Sequence, residues 1–302
     1  MASQKDVKNR ISSVKNIQKI TRAMEMVAAA RLRRAEQRIE AMRPYAGAIR
    51  RMTRRVVEAV ENIPSMPILE EHDQINKVGL LLVTGDRGLA GPFNSQIIRA
   101  GNRRAAELEA DGKQVVWFAS GRRGVSSLQF RGHDVTGAYT GFTDRPAYAN
   151  AREIADDLVQ HYIDNDLDRV EVFYNHYVSA LTQEVSHETL LPLQQIDALT
   201  EQEGEEDDEP DDEDRQSASW LYEPEPEEIL QRLIPDYVEI SIYRALLEST
   251  ASEHGARMTA MRNAQENASE MIDDLTLEMN RQRQAEITQE IMEVVAGAEG
   301  LT

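Results

Sequence analysis

Both ends of this 302-residue chain read as long helices with no partner helix nearby in sequence. From residue 3 to residue 60 there is no Gly or Pro before Pro44. At about 1.5 Å per residue, a helix over that span is ~85 Å long, far beyond an ordinary globular helix. Val7, Ile11 and Val14 start an apolar stripe at steps of four and three, and Ile17, Ile20, Met24 and Val27 continue it while drifting round the helix. Ala28, Ala29 and Ala30 are small enough to let a neighbouring helix approach closely. Near the other end, Met258, Met261, Gln265, Ala268, Ile272, Leu275 and Met279 alternate steps of three and four, which is a heptad seam. The phase breaks over residues 280–284, before Ile287, Ile291 and Val294, and a break of this kind changes the supercoil locally. Pro235 is expected to kink or restart this second helix, because it removes a backbone donor and clashes with the preceding turn. Each helix needs a partner, and the economical solution is an antiparallel two-helix coiled coil made from the two ends of the chain.

The segment between them has a different texture. The apolar run Val78-Gly-Leu-Leu-Leu-Val83 predicts a buried strand over 76–84. Further strands are predicted over 114–119, 170–178 and 184–193, with helices over 92–111, 121–131 and 146–165. Strands alternating with helices predict a small Rossmann-like α/β sheet. The fold class is therefore α/β plus a long coiled coil, with the α/β domain inserted between the two rod helices. The expected divisions are 1–60 for the first helix, 61–199 for the α/β domain, 200–219 for an acidic insertion, and 220–302 for a turn and the second helix.

Charge is divided unevenly along the chain. The net charge is −19, but residues 201–214 hold eleven acids and no base, leaving −8 for the rest. Residues 1–55 hold fifteen Lys and Arg against four Asp and Glu. This asymmetry suggests several charged partner surfaces. Thr200–Ser219 has too little apolar surface to offset its chain entropy, so it is expected to be disordered.

Several chemistries are excluded or disfavoured. The chain has no cysteine, which removes disulfides and thiolate metal sites. No run of about 18 apolar residues occurs, and the polar start lacks a signal-peptide core, so the chain is expected to stay in the compartment where it is made. Gly112-Lys113 lacks the Ser or Thr of a P-loop, and the six His have no ligand spacing. Gly85, Gly88 and Gly91 follow a strand and precede a helix, but the spacing is GxxGxxG rather than the dinucleotide fingerprint. A tight turn is the preferred reading there. No catalytic residue, metal or cofactor is expected. A basic N-terminal helix also allows a nucleic-acid-binding coiled coil as the alternative, which would show steeply salt-dependent binding.

Four stretches together resemble the gamma-subunit family of F-type ATP synthases. They are Lys15-Asn-Ile-Gln-Lys-Ile-Thr-Arg-Ala-Met-Glu-Met-Val-Ala-Ala-Ala30, Thr84-Gly-Asp-Arg-Gly-Leu-Ala-Gly91, Leu221-Tyr-Glu-Pro-Glu-Pro226 and Arg283-Gln-Ala-Glu-Ile-Thr-Gln-Glu-Ile291. The resemblance implies a central-stalk rotor, one copy per complex. It stands inside a 3:3 hexamer of alpha and beta subunits, beside an epsilon subunit and on a ring of c subunits. It implies a beta-subunit contact at Met24, Arg257, Arg283, Gln284, Thr288 and Glu290, and a c-ring contact at Tyr222 and Glu223. It further implies peripheral attachment at the cytoplasmic face of a bacterial plasma membrane, through partner subunits. Residues 201–214 depart from the family core, and their sharper reading is a tether that engages basic stator or epsilon surfaces.

Overall fold

The computed structural model describes residues 4–59, 68, 69, 72, 74–193 and 224–299. Helix α1 spans Gln4–Ala59 and α5 spans Pro226–Glu299. Between them come β1 (Lys77–Val83), α2 (Phe93–Ala110), β2 (Gln114–Ser120), α3 (Arg122–Phe130), β3 (Val135–Tyr139), α4 (Tyr148–Ile163), β4 (Arg169–Tyr177) and β5 (Gln183–Leu191). The chain divides into two compact units, one of residues 1–30 with 257–302 and the other of residues 31–256.

The first unit is a helix pair. On α1 the covered positions are Val7, Ile11, Val14, Gln18, Thr21, Glu25 and Ala28, an unbroken alternation of four and three. Val7 is 0% exposed, Ile11 8% and Ala28 1%. Past Val14 this is not the stripe that hydrophobicity picks out. Ile17, Ile20 and Val27 are 53%, 59% and 53% exposed, one position off the seam, and Met24 is half-buried beside it. The reason is geometric: a seam must keep a strict seven-residue repeat, and from residue 18 the repeat falls on polar side chains. On α5 the expected heptad holds, with Met261 and Ala268 buried and Met258, Gln265, Ile272, Leu275 and Met279 half-buried.

One ion pair joins the two helices: Arg262 donates to Glu25 at 3.0 Å. In an antiparallel pair one helix advances as the other retreats. Counting from that pair, Val7 comes within one residue of Met279, Ile11 of Leu275, Val14 of Ile272, Gln18 of Ala268 and Thr21 of Gln265. The same count brings Gln4, the first described residue of α1, level with Arg283. Beyond Gln282 every α5 residue whose burial is described is exposed. The heptad break at 280–284 thus marks the place where α5 outruns its partner.

The second unit carries a five-stranded sheet of order β3-β2-β1-β4-β5. The β1–β2, β1–β4 and β2–β3 pairs are parallel and β4–β5 is antiparallel. The sequence reading missed β3, whose five residues VTGAY include a Gly and bury only Gly137 and Tyr139. Leu80, Leu81 and Leu82 are all 0% exposed, as expected for a strand covered on both faces. Pro235 does not restart α5, which is one helix through that point. Its lost hydrogen bond costs on the order of 3 kcal/mol, and burial of Leu233, Ile234 and Val238 in the core offsets it. Residues 194–223, which include the acidic insertion, lie outside the described residues, as do most of 60–73.

One charge cluster is deep in this unit. Glu171 on β4 is 1% exposed and accepts two hydrogen bonds from Arg104 on α2, at 2.9 and 2.8 Å. Its other partner is His187 Nε2 on β5, at 2.8 Å. Burial alone would raise the Glu171 carboxyl, but Arg104 and then His187 outweigh it and hold it at about 2.

Two outcomes follow for the full-length chain in urea titrations. Because the folded carboxyl lies below its ordinary 4.5, its stabilisation is complete above that pH and is lost as pH falls towards 2. Glu171→Gln should cost about 3 kcal/mol at neutral pH, by leaving Arg104 without its carboxylate, and should flatten the acid limb between those values. Ile11→Ala should cost about 2 kcal/mol, whereas Ile17→Ala should change stability by less than about 0.5 kcal/mol. Equal costs would contradict the seam described above.

Candidate functional site

The residues expected to meet a beta subunit all fall in the helix-pair unit. Met24 is half-buried on the flank of the α1 seam. Arg257, at the start of the α5 seam, is 8% exposed. Arg283, Gln284, Thr288 and Glu290 are all exposed on the stretch of α5 that outruns α1. The Thr288 hydroxyl donates to the Gln284 carbonyl at 2.8 Å, back along its own helix. Tyr222 and Glu223 lie outside the described residues.

Helical geometry brings the four distal residues together. At about 100° per residue, Ile287, Ile291 and Val294 form one apolar strip. Arg283 and Glu290 border it on one side, and Gln284 and Thr288 on the other. Ile287 is 48% exposed, Ile291 57% and Val294 72%. A second uncovered strip runs along α1 through Ile17, Ile20 and Val27, with Met24 between them. Apolar side chains repeated at helical spacing and left in water mark surfaces made for a partner. The sequence reading identified the polar border of the α5 strip, but assigned the α1 strip to the helix–helix seam. The available signal was the polar run Gln18, Thr21 and Glu25, which keeps the seven-residue phase that Ile17 and Ile20 leave.

In the sheet unit, the carboxyl ends of the parallel strands are where a doubly wound fold binds ligands. Here that space is filled from within. The Gly85 amide donates to Asn94 Oδ1 at 2.8 Å. Asp86 accepts from the amides of Arg122 (3.1 Å) and Gly141 (2.9 Å). Burial alone would raise this carboxyl, but the amides of Gly141, Arg122 and Thr143 together hold it below the usual carboxylate range. The turn packs closely on α5: a Cβ at Gly85 would sit 2.7 Å from the Glu253 carboxyl carbon. Gly91 turns at φ 52°.

Helix α5 occupies the rest of that space. Ser249 donates to the Val83 carbonyl, Thr250 to that of Thr143 and Ser252 to that of Asn175. The void left among Val83, Thr84, Thr143 and Glu253 is about 10 Å³, room for one water. The glycine turn is thus a packing turn whose donors are used internally. Among the described residues there is no group of three or more side chains arranged to hold a metal. Among the described residues no helix is long and apolar enough to cross a membrane.

Comparison with known proteins shows the family. A profile of the ATP synthase family matches residues 3–301. The chain is similar to the ATP synthase gamma chain of Moorella thermoacetica, at 43% identity over all of both chains. It is 40% identical to that of Rubrobacter xylanophilus, over all of this chain and 99% of the relative. Among solved structures it resembles a chain of the central stalk and c-ring of the Tetrahymena thermophila mitochondrial ATP synthase. That match has 28% identity and a TM-score of 0.60, over 81% of this chain and 99% of the other. A chain of the Euglena gracilis mitochondrial enzyme shares the fold at 16% identity, with a TM-score of 0.66 over 99% and 94% of the two chains. Nothing in these matches supports the nucleic-acid reading. A helix pair with uncovered apolar strips, a sheet whose ligand crevice is filled by its own helix, and full-length matches to gamma chains agree: this chain belongs to the gamma-chain family of ATP synthases.

Proposed function

We propose that this chain works as the rotating central shaft of an F-type ATP synthase. It would couple proton-driven rotation of a c-subunit ring to the conformational cycle of the three beta-subunit sites that make ATP. The observation that carries this reading is the pair of apolar strips that the chain itself leaves uncovered, at Ile17, Ile20 and Val27 and at Ile287, Ile291 and Val294.

A shaft needs no chemistry of its own. Torque acts through contact free energy that changes with angle, because a surface that binds all orientations equally shifts no equilibrium. Two helices side by side provide that asymmetry. One flank of α1 is apolar at Ile17 and Ile20, while Lys15, Lys19 and Arg22 are exposed between and beyond these residues. A surrounding 3:3 ring of alpha and beta subunits would meet a different flank in each third of a turn. On this reading Arg283, Gln284, Thr288 and Glu290 meet a beta-subunit loop beside the apolar strip. Arg283 would supply directional donors to carboxylates. Met24 and Arg257 would flank the same collar lower on the shaft. Tyr222 and Glu223 would meet the polar loops of the c ring, with an epsilon subunit alongside. A single copy would serve each complex, at the cytoplasmic face of a bacterial plasma membrane and attached only through its partners.

Met24→Lys in the assembled enzyme, reconstituted into vesicles, is the direct test. A cation on the flank of the seam would pair with a carboxylate of the surrounding ring and hold one angle too tightly. ATP hydrolysis should persist while proton pumping per ATP falls several-fold. Unchanged coupling would remove Met24 from the rotor surface, and failure of the chain to assemble with alpha and beta subunits would remove the shaft reading itself.

A further inference from the structure

A groove of about 230 Å³ runs between α2 and β5, lined by Gln96, Arg99, Ala100, Arg103, Gln183 and Val185. The only charges in that lining are two arginines at i and i+4 on α2, both exposed. Neither makes an ion pair with a described residue, whereas the neighbouring Arg104 is neutralised by Glu171 and Glu107. Strand β5 forms one edge of the sheet, so its outer side has no strand partner among the described residues. An open strand edge beside a basic helix face suits an extended acidic segment. Backbone groups would meet the edge, and carboxylates the two guanidinium groups.

The chain carries such a segment, tethered within reach. Residues 201–214 hold eleven acids and no base, and they lie in the connection from β5 to α5. Both ends of that connection leave from one core cluster, which contains Leu190 and Leu191 on one side and Leu233 and Ile234 on the other. From Leu191 back along β5 to Val185 or Gln183 is about 20–27 Å at ~3.3 Å per residue. The eight residues from Leu193 to Glu201 span up to about 27 Å when extended. The midpoint of the connection falls within the acid run. Eleven carboxylates so close together repel one another inside a Debye length of about 8–10 Å, and fixed cations relieve that repulsion.

We propose that the α2–β5 groove binds the chain's own acidic segment, residues 201–214. Seated there, the segment neutralises Arg99 and Arg103 and covers the open edge of β5, keeping both from acidic surfaces of neighbouring subunits.

The absence of cysteine makes the test clean. In the full-length chain, Val185→Cys is combined in turn with Glu203→Cys, Glu206→Cys and Glu209→Cys, and each pair is oxidised under dilute conditions. At least one pair should form an intrachain disulfide at low ionic strength. Its yield should fall roughly tenfold in molar salt, where screening reaches about 3 Å, and equally after Arg99→Glu with Arg103→Glu, both exposed and so tolerated by the fold. Folding of each variant is checked by its urea midpoint. Folded variants with no intrachain bond would overturn the proposal. So would a yield indifferent to salt and charge reversal, or bonds that join two chains instead.

Discussion

The stretch of α5 from Ala245 to Ala256 is buried on every side, although half of it is polar. The rest of the sheet unit depends on how that burial is satisfied. A polar helix enclosed in this way is tolerated only if its side chains find partners. They do so against the carboxyl ends of the strands: Ser249 at β1, Ser252 at β4, Thr250 at the loop before α4, and Glu248 with His176 at 2.5 Å. Arg244 and Tyr174 add a shared carboxylate at Glu188 on β5. Hydrogen bonds of this kind have direction as well as strength. They fix the rotation of α5 about its own axis within the sheet unit, where an all-apolar packing would let it adjust. The place where a nucleotide-binding relative of this fold holds its ligand is here given over to a mechanical joint.

What could be read from residues alone depended on whether hydrophobicity and geometry agreed. They agree along β1, where Leu80–Leu82 announce a buried strand, and along α5 from Met258 to Met279. They disagree on α1 after Val14. The apolar residues Ile17 and Ile20 face solvent, while Gln18, Thr21 and Glu25 keep the seam. Periodicity weighted by hydrophobicity follows the wrong row there, because the seven-residue repeat of the seam falls on polar side chains and leaves the apolar ones outside it. Pro235 illustrates a different limit. Local preference argued for a kink or a restart, and the helix runs on through Pro235 with Leu233, Ile234 and Val238 buried in the core. The short strand β3 escaped because two buried residues in five leave too little pattern to recognise.

The candidate contact residues divide along the same line. Arg283, Gln284, Thr288 and Glu290 were found from motif resemblance, and their common border around Ile287, Ile291 and Val294 follows from helix geometry. Their exposure has a cause no motif encodes: with Glu25 opposite Arg262, the described part of α1 runs out level with Arg283, and the described α5 residues past Gln282 are uncovered. The level partners of that register also differ along the pair. Val7, Ile11 and Val14 come within one residue of large apolar residues, whereas Gln18 and Thr21 come within one residue of Ala268 and Gln265. Polar positions in a seam give up cohesion and in return define one alignment of the two helices.

The end of α5 has a consequence for the order in which the molecule is made. Past Gln282 the helix has no companion from its own chain among the described residues, and a helical stretch without packing gains little stability in water. Its apolar strip offers no intramolecular reward for staying wound. Its winding rests on continuity with the paired part of α5 rather than on packing against described residues of its own chain. On the proposed shaft reading, packing of these last turns would come only with assembly, after the sheet and the paired part of the rod have formed.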